Sequence, residues 1–170
     1  MTEEIFRNYL EINSLSELNE VKVTSNNYSL DLVNPKDFQL NKFFYKQVGK
    51  KYNWFDRLVW NDQNWINYIS KTYVSTYVLK YSKDLVGFSE LILDQKKNEI
   101  EIAYLGILEE YFGKKLGGFL LSELIKKSFS FNIKRVWVHT CSLDHKYALK
   151  NYLSRGMKIF KSEIVKKETA

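Results

Sequence analysis

The chain has 170 residues, a hydrophobic fraction of 45%, an aromatic fraction of 16% and a formal net charge of +6. This length suits one domain, and the composition excludes a disordered chain because enough apolar side chains are present to build a core. The single cysteine excludes an intramolecular disulfide framework, so a reducing cytoplasm is the expected compartment. No signal peptide is recognisable and no apolar run approaches the ~20 residues that cross a bilayer, so no membrane partner is expected.

Positive charge is concentrated in the C-terminal third of the chain. Residues 1–112 hold 13 Lys/Arg and 16 Asp/Glu, whereas residues 113–170 hold 13 and 4. A basic surface of this kind fits a phosphate-bearing ligand, a nucleic acid or simple solvation. Nucleic acid is not expected as a partner, because the chain has no recognisable DNA- or RNA-binding motif.

The first elements are predicted after an N-terminal extension, residues 1–22, with a single domain over residues 23–170. Residues 27–33 have the composition of a strand. Asn34 is then expected to cap a helix over residues 35–49, because proline is favoured at the first helical position.

An aromatic segment over residues 52–65 follows, and one or two short helices are expected there. It contains Asp56 and Arg57 beside Trp54. This acid–base pair is expected either to form a buried ion pair that fixes a loop or to bind a substrate, and the sequence does not separate the two.

Three β-rich segments come next: residues 73–81, residues 85–93 and a strand that ends near Ile107. Glu90 and Glu101 lie on adjacent strands in apolar surroundings, where desolvation raises the pKa of a carboxylate. A strand glutamate on a solvent face is the more common case, and Glu101 fits it. We therefore interpret Glu90 as the candidate general base and Tyr104 as a residue of the substrate pocket.

The most informative stretch joins this strand to the next helix. It reads Gly113-Lys-Lys-Leu-Gly-Gly118 and leads into a helical pattern that begins at Leu116. A helix N-terminus attracts anions through its free N–H groups and dipole, and glycines let the backbone approach closely. Lys114 and Lys115 add charge attraction. The stretch predicts a phosphate or pyrophosphate site, although it matches neither G-x-G-x-x-G nor a P-loop, and a tight turn with solvated lysines is the alternative.

The C-terminal elements are expected to be a strand over residues 134–140, a helix over 145–154 and a strand over 157–165. Within them, His145-x-x-Ala-x-x-x-Tyr152 is followed by Gly156. Together with the glycine stretch, this pattern resembles the GNAT N-acetyltransferases, which carry Q/R-x-x-G-x-G/A and then N-x-x-A-x-x-x-Y before a glycine. The sequences H-T-C-x-L-D-H and W-x-D-R also resemble motifs of a bacterial subgroup of that family.

The resemblance implies an α+β fold of order β-α-α-β-β-β-α-β-α-β, built on a central, twisted, mostly antiparallel sheet. It implies acetyl-CoA as co-substrate, no metal, and direct transfer of the acetyl group to a primary amine of a small molecule or peptide. A non-catalytic acyl-CoA-binding or protein-interaction relative is the alternative. The acceptor is not identified, and a homodimer is left open.

Three positions depart from the family pattern. Phe112 occupies the Gln/Arg position, Lys115 the first glycine position and Met157 the usual phenylalanine. The Cβ of Lys115 restricts its backbone and crowds a pyrophosphate, while its ammonium group offsets that loss by reaching a phosphate. Met157 is a volume-tolerant core exchange.

The resemblance also implies roles for individual residues. Tyr152 is expected to protonate the departing thiolate, and a tyrosine packed between helix and sheet is the alternative. The acceptor is expected to lie at Tyr104, Asp56 and Arg57. The residues expected to contact the cofactor are Leu105, Ile107, Phe112, Gly113, Lys114, Lys115, Leu116, Gly117, Gly118 and His145.

Cys141 and His145 allow other interpretations. A Cys–His nucleophile oriented by Asp144 needs hydrogen-bond contact between the three side chains. A metal site that adds His139 does not match a zinc spacing. We favour a buried thiol at a strand end, with Ser142 or Asp144 capping the following helix.

Overall fold

The computed structural model describes residues 1–168, and its centre is a seven-stranded sheet. The strands are β1 (Thr2–Ile12), β2 (Tyr28–Leu32), β3 (Val74–Tyr81), β4 (Asp84–Asp94), β5 (Glu99–Ile107), β6 (Arg135–Cys141) and β7 (Lys158–Glu168). Their order is β2-β3-β4-β5-β6-β1-β7, and only β5 and β6 are parallel neighbours. The predicted α+β fold with a mostly antiparallel sheet is confirmed.

Four helices cover the two faces of the sheet: α1 (Phe38–Gly49), α2 (Asp62–Ile69), α3 (Leu116–Phe129) and α4 (Ala148–Ser154). The apolar spacing of α3 buries Leu120 and Leu124 against one face, which we call the α3 face. On the opposite α1 face, Phe44 stacks on Phe88 of β4 with ring centroids 4.8 Å apart. Over residues 1–168, none of the helices is long and apolar enough to cross a bilayer.

The helix predicted to start at Pro35 begins three residues later, so the assignment of Asn34 as its cap is wrong. Asp37 is the N-cap of α1, and its carboxylate accepts a hydrogen bond from the Gln39 backbone N–H at 3.0 Å. A carboxylate in this position satisfies one of the unpaired N–H groups of the first turn and favourably meets the helix dipole.

The N-terminal segment has a larger role than that of an extension, because it contributes β1. This strand lies between β6 and β7 and is antiparallel to both, with Leu10 opposite Val138 and Phe6 opposite Ile164. The chain then passes along α4 and α3, where Asn19 N–H donates to the Arg155 carbonyl at 3.0 Å and Val21 N–H to Ser122 Oγ at 2.9 Å. Residues 2–21 are therefore integrated with the sheet and its helices.

Candidate active site

A cleft of about 1250 Å³ opens where β5 and β6 diverge. The two strands pair only from Glu99–Arg135 to Glu101–Trp137, although β5 continues to Ile107 and β6 to Cys141. A β-bulge between β4 and β5, near Tyr104, accompanies this divergence. Because no strand pairs with this edge of β5 beyond Glu101, its backbone N–H and C=O groups face the cleft and are available to an extended ligand.

The glycine loop ends in a helix that lacks a side-chain cap. Gly113 has φ of 80° and Lys115 of 62°, and α3 starts at Leu116 with no side-chain hydrogen bond to its first turn. In contrast, α1 and α2 are capped by Asp37 and Asn61. The first turn of α3, which lines the cleft, thus offers free N–H groups to an anion.

The two glycines of this turn have different surroundings. A Cβ added to Gly117 would meet only Asn151 Nδ2, at 3.7 Å, so space above this residue is open. At Gly118 an added Cβ would collide with the guanidinium of Arg155, whose Nε is buried without a hydrogen-bond partner in residues 1–168. A cation with an unsatisfied donor therefore lies directly against the glycine turn, as a pyrophosphate-binding group requires.

Nine of the ten residues predicted to contact the cofactor line this cleft: Leu105, Ile107, Phe112, Gly113, Lys115, Leu116, Gly117, Gly118 and His145. Lys114 does not. Its ammonium lies 5.5 Å from the Tyr111 ring and lines a separate pocket of about 560 Å³. Lys115 lines both cavities and is, of the two lysines in the glycine loop, the one that lines the cleft.

Tyr152 projects from α4 into the same cleft. It is only 7% exposed, and burial together with the nearby charge of Asp144 raises the pKa of its phenol. The hydroxyl is therefore protonated at neutral pH and can act as a hydrogen-bond or proton donor.

Tyr104 and Asp56 line the cleft on the α1 face, as predicted for the acceptor side. The Tyr104 ring packs edge-on against Trp54 with centroids 4.9 Å apart, and burial raises the pKa of its phenol. Asp56 is exposed at the cleft wall. The expected ion pair between Asp56 and Arg57 is not observed, because Arg57 pairs with a different carboxylate.

That carboxylate belongs to Glu90, which the sequence analysis took as the general base. Arg57 Nη1 donates to both carboxylate oxygens of Glu90, at 3.0 and 3.2 Å, and Asn41 Nδ2 donates to Oε2 at 3.0 Å. Glu90 has no exposed surface and does not line the cleft. A carboxylate that is fully enclosed and neutralised in this way lacks access to an acceptor amine, so the structure contradicts the assignment of Glu90 as the base.

Five aromatic rings surround the Arg57 guanidinium. Their centroids lie 4.2 to 5.7 Å from its Cζ, and the rings belong to Tyr68, Tyr104, Trp60, Trp65 and Tyr45. Cation–π attraction and the Glu90 charge together compensate the desolvation of this buried arginine. The Arg57–Glu90 pair therefore stabilises the fold. Arg57 and Asp56 both line the cleft, and their contact with an acceptor stays a prediction.

Glu101 is the carboxylate on β5 that faces the cleft. Its neighbours Ile100 and Ile102 are buried on the α3 face, so the alternation of the strand directs Glu101 to the α1 face, where it is half-buried. Burial and the adjacent charge of Glu99 raise the pKa of its carboxyl group. A raised pKa makes this carboxylate a better proton acceptor near neutral pH.

The segment after β6 is folded by Asp144 in a way that the sequence analysis did not predict. Its carboxylate accepts hydrogen bonds from Thr140 Oγ1 at 2.5 Å and Cys141 N–H at 3.0 Å, so it closes the strand end instead of capping α4. His145 Nδ1 accepts from Tyr147 N–H at 3.1 Å, and the helix starts only at Ala148. Among residues 1–168, no group of three or more His, Cys, Asp or Glu side chains could hold a metal ion.

Arg7 is a cleft residue that the sequence analysis missed. It belongs to β1, lines the cleft, and has a buried Nε without a hydrogen-bond partner in the described part of the chain. The alternation of Arg7, Tyr9 and Glu11 against buried Leu10 and Ile12 was the available signal for a strand in this segment.

Comparison with known proteins identifies the family. The sequence model of the Acetyltransferase (GNAT) family matches residues 38–157. No curated protein matches the chain significantly. Among solved structures, a GCN5-related N-acetyltransferase from Sphaerobacter thermophilus has a TM-score of 0.73 and 14% identity, over 96% of this chain and 51% of that chain.

Two further structures extend this comparison. A functionally unknown conserved protein from Staphylococcus epidermidis ATCC 12228 has a TM-score of 0.67 and 18% identity, over 99% of this chain and 64% of that chain. A spermidine N-acetyltransferase from Vibrio cholerae, in complex with CoA and spermine, has a TM-score of 0.64 and 18% identity, over 78% of this chain and 81% of that chain. At these identities the likeness shows a shared fold. The chain spans only 51% and 64% of the Sphaerobacter and Staphylococcus proteins.

Proposed function

The chain belongs to the GNAT family of acetyltransferases, and from this premise we propose that it is an acetyl-CoA-dependent N-acetyltransferase acting on a primary amine. The proposed compartment is the cytoplasm, because one cysteine cannot form an intramolecular disulfide. The V. cholerae relative, whose structure contains CoA and spermine, supports an amine acceptor by analogy only.

One observation carries this proposal: the unpaired edge of β5 leads into the uncapped N-terminus of α3 along a single cleft. The β5 edge offers alternating donors and acceptors to a ligand with amide groups, and the first turn of α3 offers N–H groups to its phosphates. Coenzyme A has both kinds of group in one chain. An amide-bearing ligand without phosphates would leave the helix end unused.

The residues proposed to hold acetyl-CoA follow from their positions in the cleft. Gly113, Gly117 and Gly118 allow the backbone to approach the pyrophosphate, and the cations of Lys115 and Arg155 balance its charge. The other proposed contacts are Leu105 and Ile107 on β5, Phe112 and Leu116 beside the loop, and His145. Burial and the charge of Lys146 lower the pKa of His145, which favours its neutral form. The His145 ring packs edge-on against Phe112, with ring centroids 5.5 Å apart.

Acetyl-CoA supplies an acetyl group activated as a thioester. In the proposed reaction a bond from the amine nitrogen to the acetyl carbon replaces the carbon–sulfur bond, and the sulfur leaves as a thiol. Tyr152 holds the proton that the sulfur needs, since its phenol stays protonated in this buried position. Glu101 accepts the proton that the ammonium form of the acceptor must lose, and the second proton, which the nitrogen loses as the amide forms, returns to the Tyr152 phenolate. Tyr104 and Asp56 form the wall against which the amine is oriented.

Thermal shift and thiol release test the proposal directly. Millimolar acetyl-CoA should raise the melting temperature of the parent protein by mass action, and a panel of primary amines should then stimulate thiol release. Gly117→Val is the diagnostic variant, because the protein around Gly117 is open and the added side chain would occupy only the ligand space. It should fold and lose the shift. Absence of a shift in the parent protein would refute acetyl-CoA binding, and a shift without any thiol release would favour the non-catalytic alternative.

A further inference from the structure

The acceptor side of the cleft carries charges of both signs on opposite walls. Glu101 and Asp56 lie towards β5 and the loop before α2, whereas Arg7 lies on β1, on the far side of β6. None of the three has an ion pair within residues 1–168. The cation of Arg57, in contrast, is already neutralised by Glu90.

Arg7 faces the acceptor side and not the cofactor side. In β1 the buried residues Leu10 and Ile12 point to the α3 face, so Arg7 points to the α1 face, on the same side as Glu101. The ring contact between Tyr9 and His139, with centroids 5.7 Å apart, lies on this same face of β1 and β6. Glu163 is the cross-strand neighbour of Arg7. Its hydrogen bond with Tyr9 and the charges of Lys161 and Arg7 lower the pKa of its carboxyl group, but its carboxylate oxygens contact Tyr9 and Lys161.

The unsatisfied donor of Arg7 distinguishes it from an ordinary surface arginine. Its Nε is buried without a hydrogen-bond partner, at a cost that solvent would normally relieve. Arg7 lines the cleft and forms no ion pair in the described part of the chain, and an arginine in this position is suited to a carboxylate or another planar anion, which its terminal N–H groups bind in pairs.

We propose that the acceptor is a primary amine that also carries an anionic group, and that Arg7 binds this group while Glu101 and Asp56 face the ammonium end. This inference rests on the proposed function, since it names the substrate class of the same site. Arg7 thereby acts as a specificity-determining residue contributed by the strand inserted between β6 and β7.

The register of the sheet sets the length of this acceptor. Arg7 is opposite Cys141 and Glu101 opposite Trp137, so the two are separated by two strand spacings across the sheet and by four residues along it. With ~3.3 Å per residue and ~4.8 Å per strand, their Cα atoms are ~16 Å apart. The side chains cover part of this span, so the anionic group lies several bonds from the amine. An α-amino acid is too short to reach both.

A series of ω-amino acids compared with n-alkylamines of equal carbon number tests the inference. In the parent protein, kcat/KM for acetylation should be at least tenfold higher for 6-aminohexanoate than for hexylamine, while glycine should show no such advantage over ethylamine. Arg7→Gln should reduce the ratio for the six-carbon pair to near one, through a lower kcat/KM for 6-aminohexanoate. An equal rate for acid and alkylamine at every length would overturn the inference, as would an advantage that survives Arg7→Gln.

Two further variants distinguish a direct contact between Arg7 and the acceptor from a general effect of positive charge on this face of the sheet. Lys161→Gln removes a positive charge from the same sheet face, 4.9 Å from the Tyr9 ring, without touching the cleft lining, and should preserve the acid preference. Arg7→Lys should retain part of it. Because the Arg7 Nε is unsatisfied, Arg7→Gln should not lower the melting temperature. A preference lost equally in Lys161→Gln would show that Arg7 makes no specific contact.

Equilibrium binding distinguishes failure of this inference from failure of the proposed function. Calorimetric titration of 6-aminohexanoate and hexylamine into the CoA-saturated protein requires no turnover. Tighter binding of the acid, abolished by Arg7→Gln, supports the inference even when no amine is acetylated. Equal binding of the two ligands to the parent protein overturns it, whatever the enzymatic activity.

Discussion

The Arg57 guanidinium and the Glu90 carboxylate form an ion pair at 3.0 Å in which neither partner reaches solvent appreciably, since the two are 7% and 0% exposed. The pair joins the loop before α2 to the middle of β4, and Asn41 of α1 completes it from a third element. The wall of the acceptor side is therefore attached to the core by charge as well as by packing.

Removing either charge alone should destabilise the fold strongly. Glu90→Gln and Arg57→Met should each lower the free energy of unfolding by about 3–5 kcal/mol, because each leaves a buried group without its partner. The double variant should cost less than the sum, since no unpaired charge remains. Urea denaturation measures the free energy of unfolding of the parent protein, the two single variants and the double variant. Lys51→Gln, which breaks the surface pair with Glu109, should change stability by less than ~1 kcal/mol. Strictly additive costs would contradict the coupling.

Two substitutions of Lys115 separate backbone strain from charge. Lys115 adopts φ of 62°, where a residue with a Cβ costs ~1 kcal/mol or more. Lys115→Gly removes this strain and the ammonium, whereas Lys115→Ala removes only the ammonium. The glycine variant should therefore be more stable than the alanine variant by about 1 kcal/mol. Both should bind CoA more weakly than the parent at low salt, with a smaller difference at high salt. Parent-like affinity in the alanine variant would show that the ammonium does not contact the ligand.

Tyr152→Phe isolates the phenol from its packing. The ring is buried and the change removes only the hydroxyl, so stability and CoA affinity should be nearly unchanged. The turnover number should fall by ~10²-fold if the phenol provides a typical general-acid contribution. The loss should lie in kcat more than in KM, because the donor acts mainly as charge develops on sulfur. An unchanged turnover number would leave Tyr152 with a packing role only.

Glu101→Gln should lower activity while raising stability at neutral pH. Burial raises the folded-state pKa of Glu101, so the folded protein favours the protonated carboxyl group. This contribution to stability is present below the unfolded-state pKa and is lost as the pH rises through the folded-state pKa. The neutral glutamine should therefore stabilise the fold at pH 8 and give no gain near pH 3.

The parent enzyme should lose activity as the pH falls through the folded-state pKa of Glu101, because a protonated carboxyl group cannot accept the ammonium proton. The pH–rate profile of the glutamine variant should lack this acidic limb at a greatly reduced rate. Glu110→Gln, at an exposed position outside the cleft, is the matched control for both measurements. An acidic limb that persists in the Glu101 variant would assign the base to another group.

Local sequence signals were sufficient for the cofactor side of the site. The glycines, the lysines and the helical spacing from Leu116 lie next to one another in the chain, so the loop and α3 could be predicted from neighbouring residues alone. The same holds for α4 and Tyr152, although Asp144 turned out to close β6 and the helix began later.

The acceptor side depends on partners distant in sequence. Glu90 and Arg57 are 33 residues apart, and nothing in the surroundings of Glu90 in the sequence indicates that its carboxylate is neutralised. β1 pairs with β6 from Arg7 opposite Cys141 to Ile12 opposite Val136, so these partners are also distant in sequence. The many charged and polar residues of β1 also make its alternation of buried and exposed positions hard to recognise in the sequence. Glu101 was considered and ranked second for the same reason: burial on the α1 face is set by the tertiary structure.

The insertion of β1 between β6 and β7 also affects synthesis of the protein. Strand β1 is synthesised before both strands that flank it, which come from residues 135–168. Until β6 and β7 have been synthesised, β1 lacks both of its partner strands, and its two unpaired edges can associate with other chains. Both pairings of β1 therefore form only after residues 135–168 have been synthesised, and contacts between such distant parts of a chain are those that slow folding.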